Sequence, residues 1–334
     1  MSVSGIKNKT RRSKIKIAFI ADDIRTINEF ELNHNATFGL MLASHDLGAQ
    51  TFLTESNNLK IVNGNVFAKF DEVIVKSSLY EHLKVKNTKE FNLNDFSVIF
   101  ARKDPPVNQN YISYVQTLLL VSKNKTVLIN DPVGILKANE KLYALNFPDY
   151  TPPTLVSFKK DEILQFLKTH NEAVIKPIFN NGGEGVFYLK ANDKKSILII
   201  EKSLKSESNV LLVQKYIPDI VSGDKRIILL NGEIIGSVFR VPKPGELRAN
   251  FHRGASPKCY TPTKRDIEIC TALKPYLQRD GLYFTSIDII GDYLIEINVT
   301  CPAGLVEAEK SMNKPLTRQI VEWAIKRQMQ NTKL

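Results

Sequence analysis

Three groups of residues in this 334-residue chain have the types and spacing to do chemistry. The first lies in the stretch 282–300, LYFTSIDIIGDYLIEINVT, where Asp288 precedes Gly291-Asp292 and Glu296 and Asn298 follow it. Side chains two apart on a strand share a face, so Glu296 and Asn298 point together. Oxygen ligands of this kind suit a hard cation, magnesium above all, shared with the phosphates of a substrate. Register decides whether Asp288 joins them. A two-residue turn at Gly291-Asp292 pairs Asp288 with Ile295 and turns Glu296 away. A three-residue loop pairs Asp288 with Glu296 and Ile289 with Ile295, and sends Ile287, Ile289, Ile295 and Ile297 to the buried face. Only that register separates the acids from the isoleucines, so the three-residue loop is expected. An ordinary half-solvated hairpin is the alternative.

In the second group, Lys176 ends the strand-like AVIKP and precedes Asn180-Asn181-Gly182-Gly183-Glu184-Gly185. Glycines let backbone N–H groups approach phosphate oxygens, and a lysine adds a point charge. Alone, such a stretch reads equally as a hairpin turn. No GK[ST] follows and no helix pattern opens there, which excludes a Walker loop and a dinucleotide fingerprint. The third group is cationic: Lys225-Arg226 in GDKR, then Arg240, Arg248 and Arg253, with Asn250 and His252 near the last two. Arginine forks match carboxylate and phosphate oxygens and stabilise charge that develops during reaction. The bland reading is a solvated basic loop, since 242–245 is rich in Pro and Gly. No Ser-His-Asp or Cys-His set is evident.

Elements must position these groups. Residues 15–21 read as a short buried strand, 35–48 as a helix (Phe38, Leu42, Ala43) ended by Gly48, and 50–53 as a strand. Strand, helix, strand with short connections indicates a parallel sheet and an α/β domain. Residues 95–101 form a third strand, which runs into Arg102-Lys103-Asp104-Pro105-Pro106. The prolines end it, so these charges fall on a loop at the strand's carboxyl end, where open α/β sheets bind ligands; a solvated turn is the alternative. A fourth strand, 126–130, closes at Asp131-Pro132, and a domain boundary is expected near it. Hairpins follow: 174–177 with 186–190, then 210–216, then 226–230 with 233–240 joined by Asn231-Gly232, a strong hairpin signal.

Composition bounds the function. Apolar residues make up 43% and charged residues 24%, as in soluble globular proteins. No apolar run approaches the roughly 20 residues a membrane helix needs. The basic start leads into an apolar stretch cut short by Asp22-Asp23, which reads as a solvated tail and not as a secretory signal. Three cysteines without a CxxC pair argue against a disulfide framework or zinc site and fit the reducing cytoplasm. The net charge of +11 is spread along the chain and not gathered into a stripe with aromatics, so nucleic acid is not an expected partner. An anionic small molecule accounts for a positive pocket equally well.

The order of the motifs carries more than any one of them: NEK (139–141), IKP with its Gly-rich hairpin, VQKYI (213–217), GDKR, RANFHRG (248–254), then DIIGDYLIEIN. This order resembles the ATP-grasp superfamily. RKDPP (102–106), NEK, GDKR and the IDIIGDxLxEINVTxP segment are similar to bacterial glutathione synthetases, and the resemblance covers about residues 14–325. It implies an α/β ATP-grasp fold: an N-terminal parallel-sheet domain at 14–130, then an ATP-grasp region at 131–334 with a lid domain at 150–213 and a mixed α+β catalytic domain at 214–334. By the same resemblance, Lys141, Lys176, Gly182, Gly183 and Gly185 would hold phosphates. Gln214, Lys215, Tyr216 and Ile217 would form the hinge near the adenine, with Asp224 beside the nucleotide. Asp288, Glu296 and Asn298 would bind Mg2+ or Mn2+. Arg226, Arg240, Asn250 and Arg253 would face an acyl phosphate, and Arg102, Asp104, Arg248, Cys301 and Pro302 would contact substrate. The implied reaction phosphorylates γ-glutamylcysteine with ATP and joins it to glycine, under a lid at about 180–186, in a homotetramer. The chain also departs from the family. Where the family has SPTG-I-R-E, it reads Cys301-Pro302-Ala303-Gly304-Leu305-Val306-Glu307, so Val306 stands at an arginine position. Its RANFHRG loop is closer to ribosomal-protein glutamate ligases, and its first strand ends Ala-Asp-Asp in place of Met-Asp-Pro. The alternative is therefore an ATP-grasp ligase that adds an amino acid to another peptide or protein tail. A non-enzymatic nucleotide-binding module is disfavoured by the presence of Lys141, Lys176, Asp288, Glu296 and Asn298.

Overall fold

The computed structural model describes residues 15–22, 24–25, 29–78, 81–179, 182–205, 210–246 and 248–331. The expected N-terminal tail, Asp23 and Asn180-Asn181 lie outside them. The first sheet is built around Lys16–Ala21, which pairs in parallel with Gln50–Thr54 on one side and Val98–Arg102 on the other; Val127–Ile129 extends it, also in parallel. A parallel strand covered on both faces must be apolar throughout, and KIAFIA is buried after its first residue. Alternate residues divide between two cores. Ile17 and Phe19 pack with Phe38 and Met41 of the helix Ala36–Asp46, whereas Ala18 and Ile20 join the cluster holding Val115 and Leu118 of the helix Gln109–Leu118. The Asn35 side chain caps the first helix by accepting from the Phe38 N–H at 2.9 Å.

This sheet is not purely parallel. Asn65–Val75 adds antiparallel to Gln50–Thr54 and carries Leu83–Asn92 and Lys60–Val62 as further antiparallel strands. Sequence reasoning assigned none of the three: LKVKNTKEFN is mostly exposed and polar, and Lys60–Val62 is short and exposed, but Asn65–Val75 alternates buried Val66, Ala68 and Phe70 and was readable.

The second sheet has the order Phe187–Lys190, Glu172–Pro177, Leu211–Lys215, Thr154–Ser157, all antiparallel. The helices Lys160–His170 and Lys194–Leu204 back it, with Ile163, Leu167 and Ile200 against Ala173, Ile175, Leu211 and Val213. Two-residue periodicity then turns Val174, Lys176 and Gln214 to the opposite face. The third sheet has the order Ser256–Cys259, Glu233–Val241, Asp224–Leu230, Phe284–Ile290, Tyr293–Asn298. Its apolar positions Ile227, Leu229, Ile287, Ile289, Leu294 and Ile297 share a core with Leu273 and Leu277 of the helix Lys264–Arg279. The Asn231-Gly232 hairpin forms as expected: Leu230 pairs Glu233 and both turn residues have positive φ (51° and 78°). The C-terminal helix Leu316–Asn331 returns to the first sheet, so Leu316 and Ile320 share one core with Ile17 and with Ile228 of the third sheet. No helix among the described residues is long and apolar enough to cross a membrane.

One buried side chain stitches the first sheet to the third. Asn130 donates from Nδ2 to the Phe284 and Val299 carbonyls (2.7 and 2.8 Å) and accepts the Phe284 N–H at 2.7 Å. Asn130→Ala leaves three buried backbone groups unpaired, each at a cost of about 1–3 kcal/mol. The expected loss of stability is about 3 kcal/mol or more, read by urea unfolding; a loss below about 1 kcal/mol contradicts the role assigned to this side chain.

Candidate active site

The polar faces of the second and third sheets meet over a cavity of about 570 Å³. Its geometry starts from strand register. Asp224 pairs directly with Arg240 and Arg226 with Asp288, so all four side chains share one face of the third sheet. Arg226 grips Asp288 with both prongs (Nε–Oδ1 2.8 Å, Nη2–Oδ2 2.7 Å), and Arg240 grips Asp224 the same way (2.6 and 2.5 Å). Arg240 Nη2 also reaches Asp288 Oδ2 at 2.9 Å, closing one buried network of four charges. Burial works against the Asp288 carboxylate, but Arg226 and Arg240 outweigh it and hold the group well below the usual carboxylate range.

The hairpin beyond Asp288 differs from the expected one. Asp288 does pair Glu296, yet the connection is the two-residue turn at Gly291-Asp292, with Ile290 opposite Tyr293 and Ile289 opposite Leu294. A bulge between Asp288 and Ile289 absorbs the slip. Gly291, at φ 56°, accommodates the tight turn. Leu294 therefore takes the buried place assigned to Ile295, while Ile295 joins Ile290 on the cavity wall. Pattern reasoning weighed turn lengths and omitted the bulge, which gives the same acid pairing from a shorter turn.

Glu296, Asn298 and Asp288 all line the cavity. Burial raises the Glu296 carboxyl, and the Asp288 and Glu140 carboxylates add to that, against the pull of Lys141 and Lys176. Asn298 donates to the Ser286 carbonyl at 3.3 Å, which leaves its amide oxygen as an acceptor. No cluster of three or more His, Cys, Asp and Glu side chains among the described residues is set to hold a metal alone. Two carboxylates and an amide oxygen, crowded enough that one acid is pushed up, fit a divalent cation that completes its shell with phosphate oxygens.

Two lysines face this acidic patch from the other elements. Lys176 donates to Gln214 Oε1 at 3.0 Å, and Gln214 Nε2 is fixed in turn on Thr154 Oγ1 at 3.0 Å. Burial pushes Lys176 down to about 8, although Glu296 resists the shift. Lys141 follows Asn139, whose Oδ1 accepts the Lys141 and Leu142 N–H groups at 3.1 Å and whose Nδ2 reaches the Ile178 carbonyl at 3.0 Å. Val174, Tyr188, Tyr216 and Ile217 on one side, with Ile290 and Ile295 on the other, make an apolar slot in the same cavity.

Most residues singled out from sequence line this one space: Lys141, Lys176, Gly182, Gly183, Gln214, Lys215, Tyr216, Ile217, Asp224, Arg226, Arg240, Arg248, Asn250, Asp288, Glu296, Asn298, Asp104 and Cys301. Gly185, Arg253, Arg102 and Pro302 are not among the lining residues. Arg102, the last residue of its strand, is turned inward onto Thr37 Oγ1 (3.1 Å) and the Pro302 carbonyl (3.0 Å). Arg253 and Arg248 donate to the Gly182 and Gly183 carbonyls (3.1 and 3.3 Å), so they latch the glycine segment. A β-carbon on Gly183 would stand 2.8 Å from Arg248 Cδ, at φ 73°, which requires glycine there. Burial drives the Cys301 thiol well up from its usual range, with Asp104 adding to the shift and Arg102 opposing it.

Sequence reasoning missed three positions. Glu140 Oε1 accepts the Val299 N–H (2.9 Å), the Thr300 N–H (3.0 Å) and Thr300 Oγ1 (2.8 Å), anchoring the segment after Asn298. The motif NEK contained the signal, since a glutamate between a capping asparagine and a phosphate-type lysine had no role of its own. His34 and Glu307 also line the cavity; nothing in the local sequence marks His34, whereas Glu307 stands at the glutamate of the SPTG-I-R-E segment and was given no role.

Two sheets facing each other over a slot lined by lysines, a glycine segment and paired acids define an ATP-grasp protein. Solved structures share the architecture: D-cycloserine synthetase DcsG has a TM-score of 0.66 over 93% of this chain and 99% of its own, at 12% identity. The ATP-grasp ligase PsnB, complexed with precursor peptide PsnA2 and AMPPNP, has a TM-score of 0.61 at 12% identity, covering 94% of this chain and 98% of its own. At such identity these likenesses speak for the fold alone. Residues 15–135 match the prokaryotic glutathione synthetase N-terminal domain and residues 140–313 match the ATP-grasp domain of the same enzymes. The glutathione synthetase of Synechocystis sp. is 38% identical over 318 residues, spanning 92% of this chain and 98% of its own length. That of Brucella melitensis is 33% identical, spanning 89% and 94%. The chain belongs to the prokaryotic glutathione synthetase family.

A polyphosphate held by Lys176, as the resemblance implies, would need that side chain charged. Because the free side chain loses its proton near pH 8, nucleotide binding above that pH must take up a proton. The Kd for ADP, flat below pH 8, should rise towards about tenfold per pH unit above it. In Lys176→Met binding should be about ten- to a hundredfold weaker and lose this slope. Calorimetric titration from pH 7 to 10 checks it; an unchanged slope in the variant contradicts the assignment.

Proposed function

We propose that the chain joins γ-glutamylcysteine to glycine at the expense of ATP, giving glutathione. The observation that carries this reading is the buried Arg226–Asp288–Arg240–Asp224 network beside Glu296 and Asn298, in a chain matched over nearly its whole length by one enzyme family. A carboxylate is a poor electrophile until it is phosphorylated, and the protein's share of the work is positioning and charge neutralisation.

The adenine fits the apolar slot by the hinge residues 214–217, with the phosphates running toward Lys176, Lys141 and the Gly182-Gly183 backbone. Asp288, Glu296 and Asn298 would hold Mg2+ or Mn2+, which neutralises phosphate charge when bound. The γ-glutamylcysteine carboxylate lies against Arg226 and Arg240 and takes the γ-phosphoryl group. The same guanidiniums, fixed by Asp288 and Asp224, face the acyl phosphate and, with Asn250, the tetrahedral oxyanion that forms when the glycine amine attacks. Phosphate leaves and the amide remains. Arg248 and Arg253 keep the glycine segment over the site and water away from the acyl phosphate. Arg102 orders the loop through Pro302, and Asp104 and Cys301 lie at the substrate end. The division into 14–130, 150–213 and 214–334, a homotetramer and a cytoplasmic location belong to the same reading.

Phosphate release from ATP should require γ-glutamylcysteine and glycine together, with a tripeptide of matching mass. Release with γ-glutamylcysteine but indifference to glycine would make another amine the acceptor. No release with either would favour a peptide or protein tail as the substrate. Glu296→Ala should lose turnover by about a thousandfold with its unfolding curve unchanged, and near-normal activity would sink the metal assignment.

A further inference from the structure

The cavity has a cationic end that suits phosphates and carboxylates. One acid on its wall, Glu307, has a single oxygen to spare. Glu307 is 3% exposed, and it lines the cavity together with His34. His34 Nδ1 lies 2.9 Å from Glu307 Oε1, while Glu307 Oε2 is buried without a hydrogen-bond partner among the described residues. A buried carboxylate oxygen that finds no donor is costly, and persists where a ligand supplies the donor.

Two structural explanations fall short. Glu307 sits in the first turn of the helix Leu305–Met312, where a carboxylate favours the helix dipole, but capping would have spent its oxygens on backbone N–H groups. An ion pair that merely ties this helix to Glu29–His34 is also unnecessary, because Lys310 Nζ already holds the Asn33 carbonyl at 2.9 Å. The helix start is fixed against the reaction centre: Arg226 Nη1 donates to the Ala303 carbonyl at 3.2 Å, and a β-carbon on Gly304 would stand 2.8 Å from Arg226 Cδ. Glu307 lies one helical turn further on, about 5 Å along the axis.

We infer that the Glu307 carboxylate, oriented by His34, receives a primary ammonium group of a substrate. The group carries up to three N–H donors for Oε2 and brings a positive charge to a buried carboxylate. In the glutathione-forming reading, on which the choice of substrates rests, the ammonium is either that of glycine or the α-ammonium of γ-glutamylcysteine.

The test is binding, which does not depend on turnover. Wild type, E307Q and H34A are titrated by thermal shift with glycine and γ-glutamylcysteine, each beside its N-trimethylated analogue. For one of the two substrates, trimethylation should weaken wild-type binding about tenfold or more, and E307Q should weaken the unmodified form by a similar factor and lose the discrimination. The substrate that responds identifies which ammonium is held. An E307Q protein with a normal melting profile and wild-type affinity for both substrates overturns the inference. If E307Q does not fold, H34A, a change at a half-exposed side chain, should weaken the same substrate about threefold, and unchanged affinity for both overturns it equally. Wild type that discriminates the ammonium yet forms no tripeptide would overturn the glutathione reading alone.

Discussion

Asp288 meets two guanidiniums in the centre of the third sheet, and much of the site is arranged around that meeting. A single charge this deep would cost far more than a domain's whole stability, whereas Asp224, Arg226, Arg240 and Asp288 sum to no net charge and satisfy one another's hydrogen bonds. The pairing is possible because Asp224 lies opposite Arg240 and Arg226 opposite Asp288 across neighbouring strands. A one-residue slip would drive all four into the core that holds Ile227, Leu229 and Ile287. The apolar face thus enforces the register, and the register builds the chemistry. Guanidiniums locked in this way need not reorganise when charge develops on a substrate, which is the condition under which fixed donors stabilise a transition state best.

A site shared by two sheets also needs the sheets held in place. The short segment Asn139-Glu140-Lys141 does this with few atoms. Asn139 reaches the end of the second sheet at Ile178, and Glu140 takes Ile297, Val299 and Thr300 through its main-chain and side-chain oxygens. Lys141 therefore enters the cavity on a segment anchored on both sides. Gln214 plays the corresponding part within the second sheet, holding Lys176 from one end and Thr154 from the other. The glycine segment is tied down by Arg248 and Arg253, so residues that sequence alone presents as ligands act here on the protein's own carbonyls.

What could be read in the sequence follows from which forces are local. Two-residue alternation displayed the faces of the strands around Lys176 and Glu296, and Asn231-Gly232 declared its own turn. The acids were assigned to one face correctly, although a bulge and a two-residue turn, in place of a longer loop, bring them there. Of the unread antiparallel strands, Leu83–Asn92 is mostly exposed and polar, while Asn65–Val75 does alternate (Val66, Ala68 and Phe70 buried) until the register shift at Glu72/Val73. Arg102 was legible as a charge at a strand end, but its inward turn onto Thr37 and Pro302 depends on chain some 65 and 200 residues away. His34 was invisible for the same reason, and the pairing that gives Glu307 its meaning arises only when the two ends of the chain come together.

One expected departure from the family lies beside Glu307. Val306, which the resemblance sets at an arginine position, has its Cγ2 3.4 Å from where a β-carbon on Gly39 would be, so this position faces the helix Ala36–Asp46 while its neighbour Glu307 faces the cavity. On the side of the two lysines, Lys141, Lys176, Asp288, Glu296 and the arginine network line the cavity together. The two halves can vary independently for a chemical reason. Aminolysis of an acyl phosphate takes no nucleophile from the protein, so the acceptor is chosen by whatever surface holds its amine in line. Changing that surface alters which amine is positioned and leaves the activation of the carboxylate untouched.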